Sequence, residues 1–171
     1  MKDRLKKWFE VVATRYEKWK GAEALGPLLG RVVVGTTFLT TGWGKLHNLD
    51  SVTEFFTTLG IPAPGFHAVL VSTTELVGGA LLVLGLLARF AALPLATTMT
   101  VALLTAKRAE IEGIVSLFGQ VEFLYLTVFL WIAIRGPGAL SLDQLLGGRL
   151  ARWLRSAPKP VAQERVALPT G

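Results

Sequence analysis

The polar and apolar positions of this 171-residue chain divide it into four apolar stretches between charged ends. The stretches run over residues 25–46, 67–87, 90–106 and 117–134. Each has about the 17–25 residues that carry a helix across a hydrocarbon core at about 1.5 Å per residue. None has the wide polar face of a helix in a water-soluble bundle. The pattern predicts an all-α integral membrane four-helix bundle. Residues 47–66 form the longest loop and end in Ile61-Pro62-Ala63-Pro64-Gly65, which stops any helix before the second stretch. A tight turn is expected around Ala88-Arg89, with Pro94 in the first turn of the third helix, where a missing N–H matters little.

Both ends predict helices lying on a membrane surface. Residues 1–24 form a basic amphipathic segment in which Leu5, Trp8, Phe9, Val12, Tyr16 and Trp19 share one stripe. After Gly136-Pro137-Gly138, Ser141 and Gln144 have capping-box spacing, and Leu142, Leu145, Leu146, Trp153 and Leu154 line one side of a second such helix within 136–155. The Pro-rich tail over 156–171 reads as disordered. No cleavable signal peptide is apparent, so the first apolar segment is expected to remain as an anchor.

Charge then orients the bundle. With both termini cytoplasmic, 14 of the 18 Lys and Arg fall inside and three outside (Lys45, Lys107 and Arg108), leaving Arg31 within the first span. The lysine and arginine bias predicts an N-in, C-in, multi-pass protein of a bacterial or archaeal plasma membrane. The isoelectric point is near 10.0 and the mean hydropathy is +0.50. Basic ends around an apolar middle point to anionic lipid, not nucleic acid. Cysteine is absent, which excludes thiol catalysis, thiolate metal ligation and covalent c-type haem.

Glu75 lies eight residues after His67, inside the second apolar stretch. Ionisable residues at such depth face protein or water and mark functional sites. It shares a helix face with Gly78, Gly79, Leu82 and Leu86, flat enough for the first helix to press against. Arg31, Gly35, Phe38, Gly42 and Lys45 recur in steps of 4, 3, 4 and 3 along that first helix. The small residues Gly35, Gly42, Gly78 and Gly79 are therefore expected to pack helix on helix. Under the predicted topology Glu75 lies about 12 Å, and Glu122 about 7 Å, below the outer boundary. Lys45 and Lys107 end spans on the same side, and His47, Gln120 and Tyr125 are near enough to join them.

Three readings of this cluster stay open. Each carboxylate can neutralise a lysine and only lock the helices together. The cluster can instead form a polar pocket for a quinone head group or a small anion, with a carboxyl group kept from water exchanging protons near neutral pH. His47 and His67 could also ligate a metal or haem b, although no spacing motif supports it.

The runs FLTTGWGKLHN (38–48), TELVGGALLVLGLLARFAALPL (74–95) and GPGALSLD (136–143), with the four-span layout, resemble the DoxX family over about residues 25–148. Lys45, Glu75, Gly78, Gly79 and Asp143 match recurring positions of that resemblance. It implies a small four-helix inner-membrane protein. The family includes a subunit of thiosulfate:quinone oxidoreductases, so the implied role is a redox-associated subunit, with no redox centre of its own, that works with bound quinone or a partner redox subunit. The alternative is a non-catalytic scaffold that recruits cytoplasmic enzymes. Substrate, catalysis, partner and homo-oligomeric state stay unspecified by the sequence.

Overall fold

A computed structural model describes residues 4–8, 10, 24–138 and 140–156, with side chains described as far as residue 149. Most of the expected N-terminal amphipathic helix, the whole Pro-rich tail, and the side chains of Trp153 and Leu154 lie outside the described residues. Within them every regular element is helical. Residues 4–8 are helical, and the elements that follow are α1 (Leu25–Leu46), α2 (Leu49–Thr58), α3 (Pro64–Leu84), α4 (Ala88–Leu104), a 3-10 turn (Arg108–Glu110), α5 (Ile114–Phe118), α6 (Val121–Arg135) and α7 (Leu142–Ser156).

The four long apolar elements, α1, α3, α4 and α6, run antiparallel to their neighbours. Helix α1 packs along α3, α3 on α4, and α4 on α6. Glycine explains the closeness of the first pair. A Cβ at Gly42 would overlap the Leu76 backbone, one at Gly79 the Leu39 backbone, and one at Gly35 would come within 2.9 Å of the Gly79 carbonyl oxygen. Gly78 faces the other way, where a Cβ would lie 2.9 Å from Leu95 of α4. The paired glycines therefore serve two interfaces and not one. Phe38 closes the circuit between α1 and α6. Its ring meets Tyr125 edge-on at 5.2 Å and Phe129 at 4.9 Å, and Phe38, Leu82, Leu95, Phe129 and Ile132 form the buried centre.

The outer surfaces of these helices are apolar as well. Leu29, Val33, Phe90, Leu93, Leu104, Leu124 and Ile134 are all exposed. Such a belt on several helices at once is foreign to a water-soluble monomer and suits lipid. Among the described residues α3 is the one helix both long and apolar enough to cross a membrane by length and composition, and α4 is a shorter apolar helix. At about 1.5 Å per residue, α1 reaches about 33 Å and α6 only about 23 Å.

Several boundaries differ from expectation. The loop over 47–66 contains α2, whose turns lie against α3. Pro94 is the seventh residue of α4, inside the helix and not in its first turn, so the Phe90 carbonyl has no backbone N–H four residues on. Helix α4 begins earlier because Gly85 (φ 65°) and Leu87 (φ 48°) turn the chain through the left-handed region. The expected fourth span is interrupted at Gln120, whose extended backbone separates Leu117 and Phe118, in α5, from α6.

Candidate functional site

Helix α1 carries one cation near each end, and the two have different surroundings. At one end Arg31 is 3 % exposed. Its guanidinium donates to the carbonyl oxygens of Pro137, at 3.1 Å, and Leu140. Gly85 lies against it so closely that a Cβ there would overlap the guanidinium. Asp143 completes this end. Its carboxylate accepts the backbone N–H groups of Leu87 (2.7 Å) and Ala88 (3.2 Å), the first of α4, while its own N–H donates to Gly85. A carboxylate suits that place because the first N–H groups of a helix lack partners within it. Ser141 fulfils half of the capping box by accepting the Gln144 N–H at 3.3 Å.

At the other end Lys45 Nζ donates to Glu75 Oε1 at 2.6 Å, and Thr41 Oγ1 donates to Glu75 Oε2 at 3.2 Å. Glu75 is 2 % exposed, whereas the Lys45 side chain is 36 % exposed. Both Glu75 oxygens are thus engaged, and the carboxylate holds the lysine in place. The lysine is the more accessible partner, with two further N–H groups. Thr41 stood on the same stripe as Phe38 and Lys45 in the sequence, at the spacing that brings it over Glu75, but a threonine among many gave no distinguishing signal.

Beside this ion pair lies a cavity of about 680 Å³. Lys45, Glu75, Glu122, Lys107, Tyr125 and His67 all line it. Its walls are otherwise mostly apolar, with Phe38, Met99, Val71 and Ala102 among them, and Phe55, Phe56, Leu59 and Ile61 cover it from α2 and the loop that follows. A pocket of this size, apolar with a few polar groups, suits a small organic ligand. Glu122 Oε2 is buried without a hydrogen-bond partner among the described residues. A buried acceptor without a donor is costly and uncommon.

Two expected members, Gln120 and His47, stand apart from the cavity lining, and a third, Lys107, lines it but is paired elsewhere. Lys107 is paired with Glu110, at 2.9 and 3.2 Å, and not with Glu122. The local i,i+3 partner wins over the more distant one. Its hydrogen bond raises the Lys107 ammonium above its ordinary value, with lesser electrostatic help from Glu110 and Glu122. The same bond lowers the Glu110 carboxyl. Gln120 reaches Glu110 at 3.4 Å. His47 lies outside the cavity, its Nδ1 2.9 Å from the Trp43 carbonyl oxygen and its ring against that indole. No cluster of three or more potential metal ligands occurs among the described residues.

Comparison with known proteins fits this picture. The sequence profile of the DoxX family matches residues 26–108. Inner membrane protein YqjF of Escherichia coli K12 is 36% identical over 129 residues, 74% of this chain and 96% of its own length. CatD of Bacillus subtilis 168, named provisionally as an oxidoreductase, is 31% identical over 120 residues, covering 70% of this chain and 85% of its own. Membrane protein Rv3486 of Mycobacterium tuberculosis is 35% identical over 133 residues, with coverage of 70% and 80%. No solved structure matches the chain.

Proposed function

The chain belongs to the DoxX family of membrane proteins, and from that premise we propose that it is a redox-associated membrane subunit that holds a quinone or small-anion head group in the cavity beside Lys45. The observation that carries this reading is the pairing of an oriented cation with an unsatisfied acceptor in one apolar chamber. Lys45, fixed by Glu75 and Thr41, has N–H groups left for a ligand oxygen. Glu122 lines the chamber, and its Oε2, buried without a hydrogen-bond partner among the described residues, would meet a ligand hydroxyl on rotation of the carboxyl group. A quinone ring with its hydroxyl-bearing reduced form fits such a set better than an inorganic anion, because the walls contributed by Phe38, Met99 and Val71 are apolar.

In this reading α1, α3, α4 and α6 span the membrane as a four-helix bundle, both termini are cytoplasmic, and the cavity lies in the outer half. The 14-to-3 distribution of Lys and Arg and the exposed apolar belt support it. A quinone, when bound, supplies the electron-carrying group that the chain itself lacks. Lys45 and Glu122 hold its oxygens, the apolar walls exclude water, and Glu75 positions Lys45. The oxidoreductase name of CatD adds support for redox work, with electrons exchanged through a partner subunit.

Native mass spectrometry of the detergent-extracted protein with added short-chain benzoquinone tests the reading. The wild type should retain the quinone, Glu75→Gln should retain less, and the pair Lys45→Met with Glu75→Gln should retain none. Equal retention by all three proteins, or none by the wild type, would count against it.

The leucine row on α7 supports a second role. Leu145 and Leu146 are 62 % and 52 % exposed on an amphipathic helix placed at the cytoplasmic side, where a scaffold would recruit partner enzymes. Polar replacement of Leu145 and Leu146 should then release those partners in a pull-down while leaving quinone retention unchanged.

A further inference from the structure

Helices α3 and α4 touch at one end and part toward the other. Val71, Thr74 and Gly78 share one face of α3, and Leu95, Thr98 and Ala102 share the facing side of α4. At Gly78 and Leu95 the helices are in contact. Beyond that point Val71, Thr74, Thr98 and Ala102 all line the cavity. Leu70 and Val101 line it too and are 48 % and 45 % exposed, so the cavity reaches the outer surface of the molecule between these helices.

The depth of this gap decides what lies outside it. Thr74 is the midpoint of α3, ten residues from Pro64 and ten from Leu84, or about 15 Å from either end. In a spanning helix that level is hydrocarbon. The gap is chemically suited to it. The Thr97 and Thr98 hydroxyls donate to the carbonyls of Leu93 and Leu95, at 3.1 and 2.8 Å, so their protons are satisfied within α4 and they present methyl groups and acceptors to a neighbour. Toward the aqueous side, Phe55, Phe56, Leu59 and Ile61 cover the cavity with apolar surface.

We infer that the cavity is loaded sideways from the bilayer by a membrane-dissolved amphiphile, whose chain lies between α3 and α4 and whose oxygen-bearing head meets Lys45 and Glu122. The inference rests on the head-group reading above and adds to it a route and a chain-binding groove. A water-soluble ligand would enter past α2 and the charged rim at Lys107, whereas an amphiphile reaches Lys45 without leaving an apolar surface.

Two measurements on the full-length protein in lipid nanodiscs test this. The first compares a decyl-substituted benzoquinone with the same ring bearing a methyl group, each corrected for its partition into lipid. After that correction the remaining advantage reports packing of the chain in the groove and not transfer from water, and the decyl compound should bind severalfold tighter. Thr98→Trp, which fills the gap, should abolish that advantage. Equal affinities for the two chain lengths, or an advantage that survives Thr98→Trp, would overturn the sideways route while leaving the head-group reading intact. Binding of neither compound to the wild type would overturn both. The second measurement needs no ligand and no bulky substitution. The chain has no cysteine, so a nitroxide can be attached at Thr98→Cys or Val101→Cys alone. Its collisions with dissolved oxygen should far exceed those with a water-soluble nickel chelate. The reverse order would mean that the gap is filled with water, and the inference would fall.

Discussion

Arg31 and Lys45 stand fourteen residues apart on α1, and each is met by groups from elsewhere in the chain, but the two ends are finished differently. Around Arg31 the partners are backbone: the carbonyls of Pro137 and Leu140 and a glycine turn with no room for a side chain. Around Lys45 the partners are side chains, Glu75 and through it Thr41. They leave a cavity of about 680 Å³ and an unsatisfied carboxylate oxygen on Glu122. Backbone partners fix a cation at no risk of titration and cannot be exchanged for a ligand. Side-chain partners beside an empty chamber can share the cation with something else. The difference separates an end that closes the fold from an end that is open to a ligand.

The largest effect should come from breaking the closed end at Gly85. Its φ of 65° disfavours any side chain, and a Cβ would overlap Arg31 and lie 2.8 Å from Ser141 Cβ. Backbone strain and overpacking together should make Gly85→Val destabilising by about 3–5 kcal/mol, read as thermal unfolding of helix content in detergent. A loss below about 1 kcal/mol would mean that this end is looser than its contacts indicate.

The next test separates the two cations directly. Arg31→Met leaves the Pro137 and Leu140 carbonyls without a donor and should cost about 2–4 kcal/mol. Lys45→Met leaves Glu75 as a buried, unpaired carboxylate and should cost a similar amount, about 3 kcal/mol. Only the second should be rescued by another substitution. Adding Glu75→Leu to Lys45→Met removes the stranded charge and should return stability to within about 1 kcal/mol of wild type, because a buried ion pair can be replaced by apolar packing at little net cost. No single side-chain change removes the orphaned carbonyls opposite Arg31. If Lys45→Met with Glu75→Leu remains as unstable as Lys45→Met alone, the Lys45 end is structural in the same sense as the other.

This asymmetry was only partly legible in the sequence. Helix α1 was readable to its limits, since the apolar stretch and the stripe from Arg31 to Lys45 both report a single helix. The Glu75–Lys45 approach followed from antiparallel spans and glycine spacing, because side chains at matching depth on facing helices must meet. The partners of Arg31 were not readable. They are backbone carbonyls more than a hundred residues away, and every residue has a carbonyl, so no residue type marks them. Lys107 lines the cavity with Lys45, Glu75 and Glu122, as the depth argument expected, but its ion-pair partner was overlooked for the opposite reason. Its sequence neighbour Glu110 was in plain view, and the depth argument that favoured Glu122 ignored the smaller entropy of a local contact. Helix α2 was hidden because a ten-residue amphipathic helix between two apolar stretches looks like a polar loop until α3 is there to receive it.

A smaller effect is expected at Asp143, which joins the closed end to α4. Asp143→Asn keeps the size but removes the charge and one of the two acceptors that serve the Leu87 and Ala88 N–H groups. The loss should be about 1 kcal/mol, read as faster amide exchange in the first turn of α4 with no change in quinone retention. Altered retention would mean that the two ends are coupled.

The smallest expected effect lies at the rim of the open end, beyond α4, where the half-buried Lys107 pairs with the exposed Glu110. The Glu110 carboxyl is held below its ordinary value by the Lys107 hydrogen bond. Its contribution is therefore present above the ordinary carboxylate range and is lost as pH falls through the lowered value. The Lys107 ammonium is raised, so its contribution is present below the ordinary lysine range and is lost only as pH rises through the raised value. Between those limits the pair is constant, and amide protection over residues 105–113, taken relative to the intrinsic exchange rate at each pH, should change only outside that window. Glu110→Gln should abolish the acid limb and make the loop at neutral pH resemble the wild type in acid. Exposed pairs contribute little because water screens them, so quinone affinity should change by less than about threefold. A tenfold change on Glu110→Gln would instead place Lys107 with Lys45 as a ligand-facing cation, held in check by Glu110 until it is released toward Glu122.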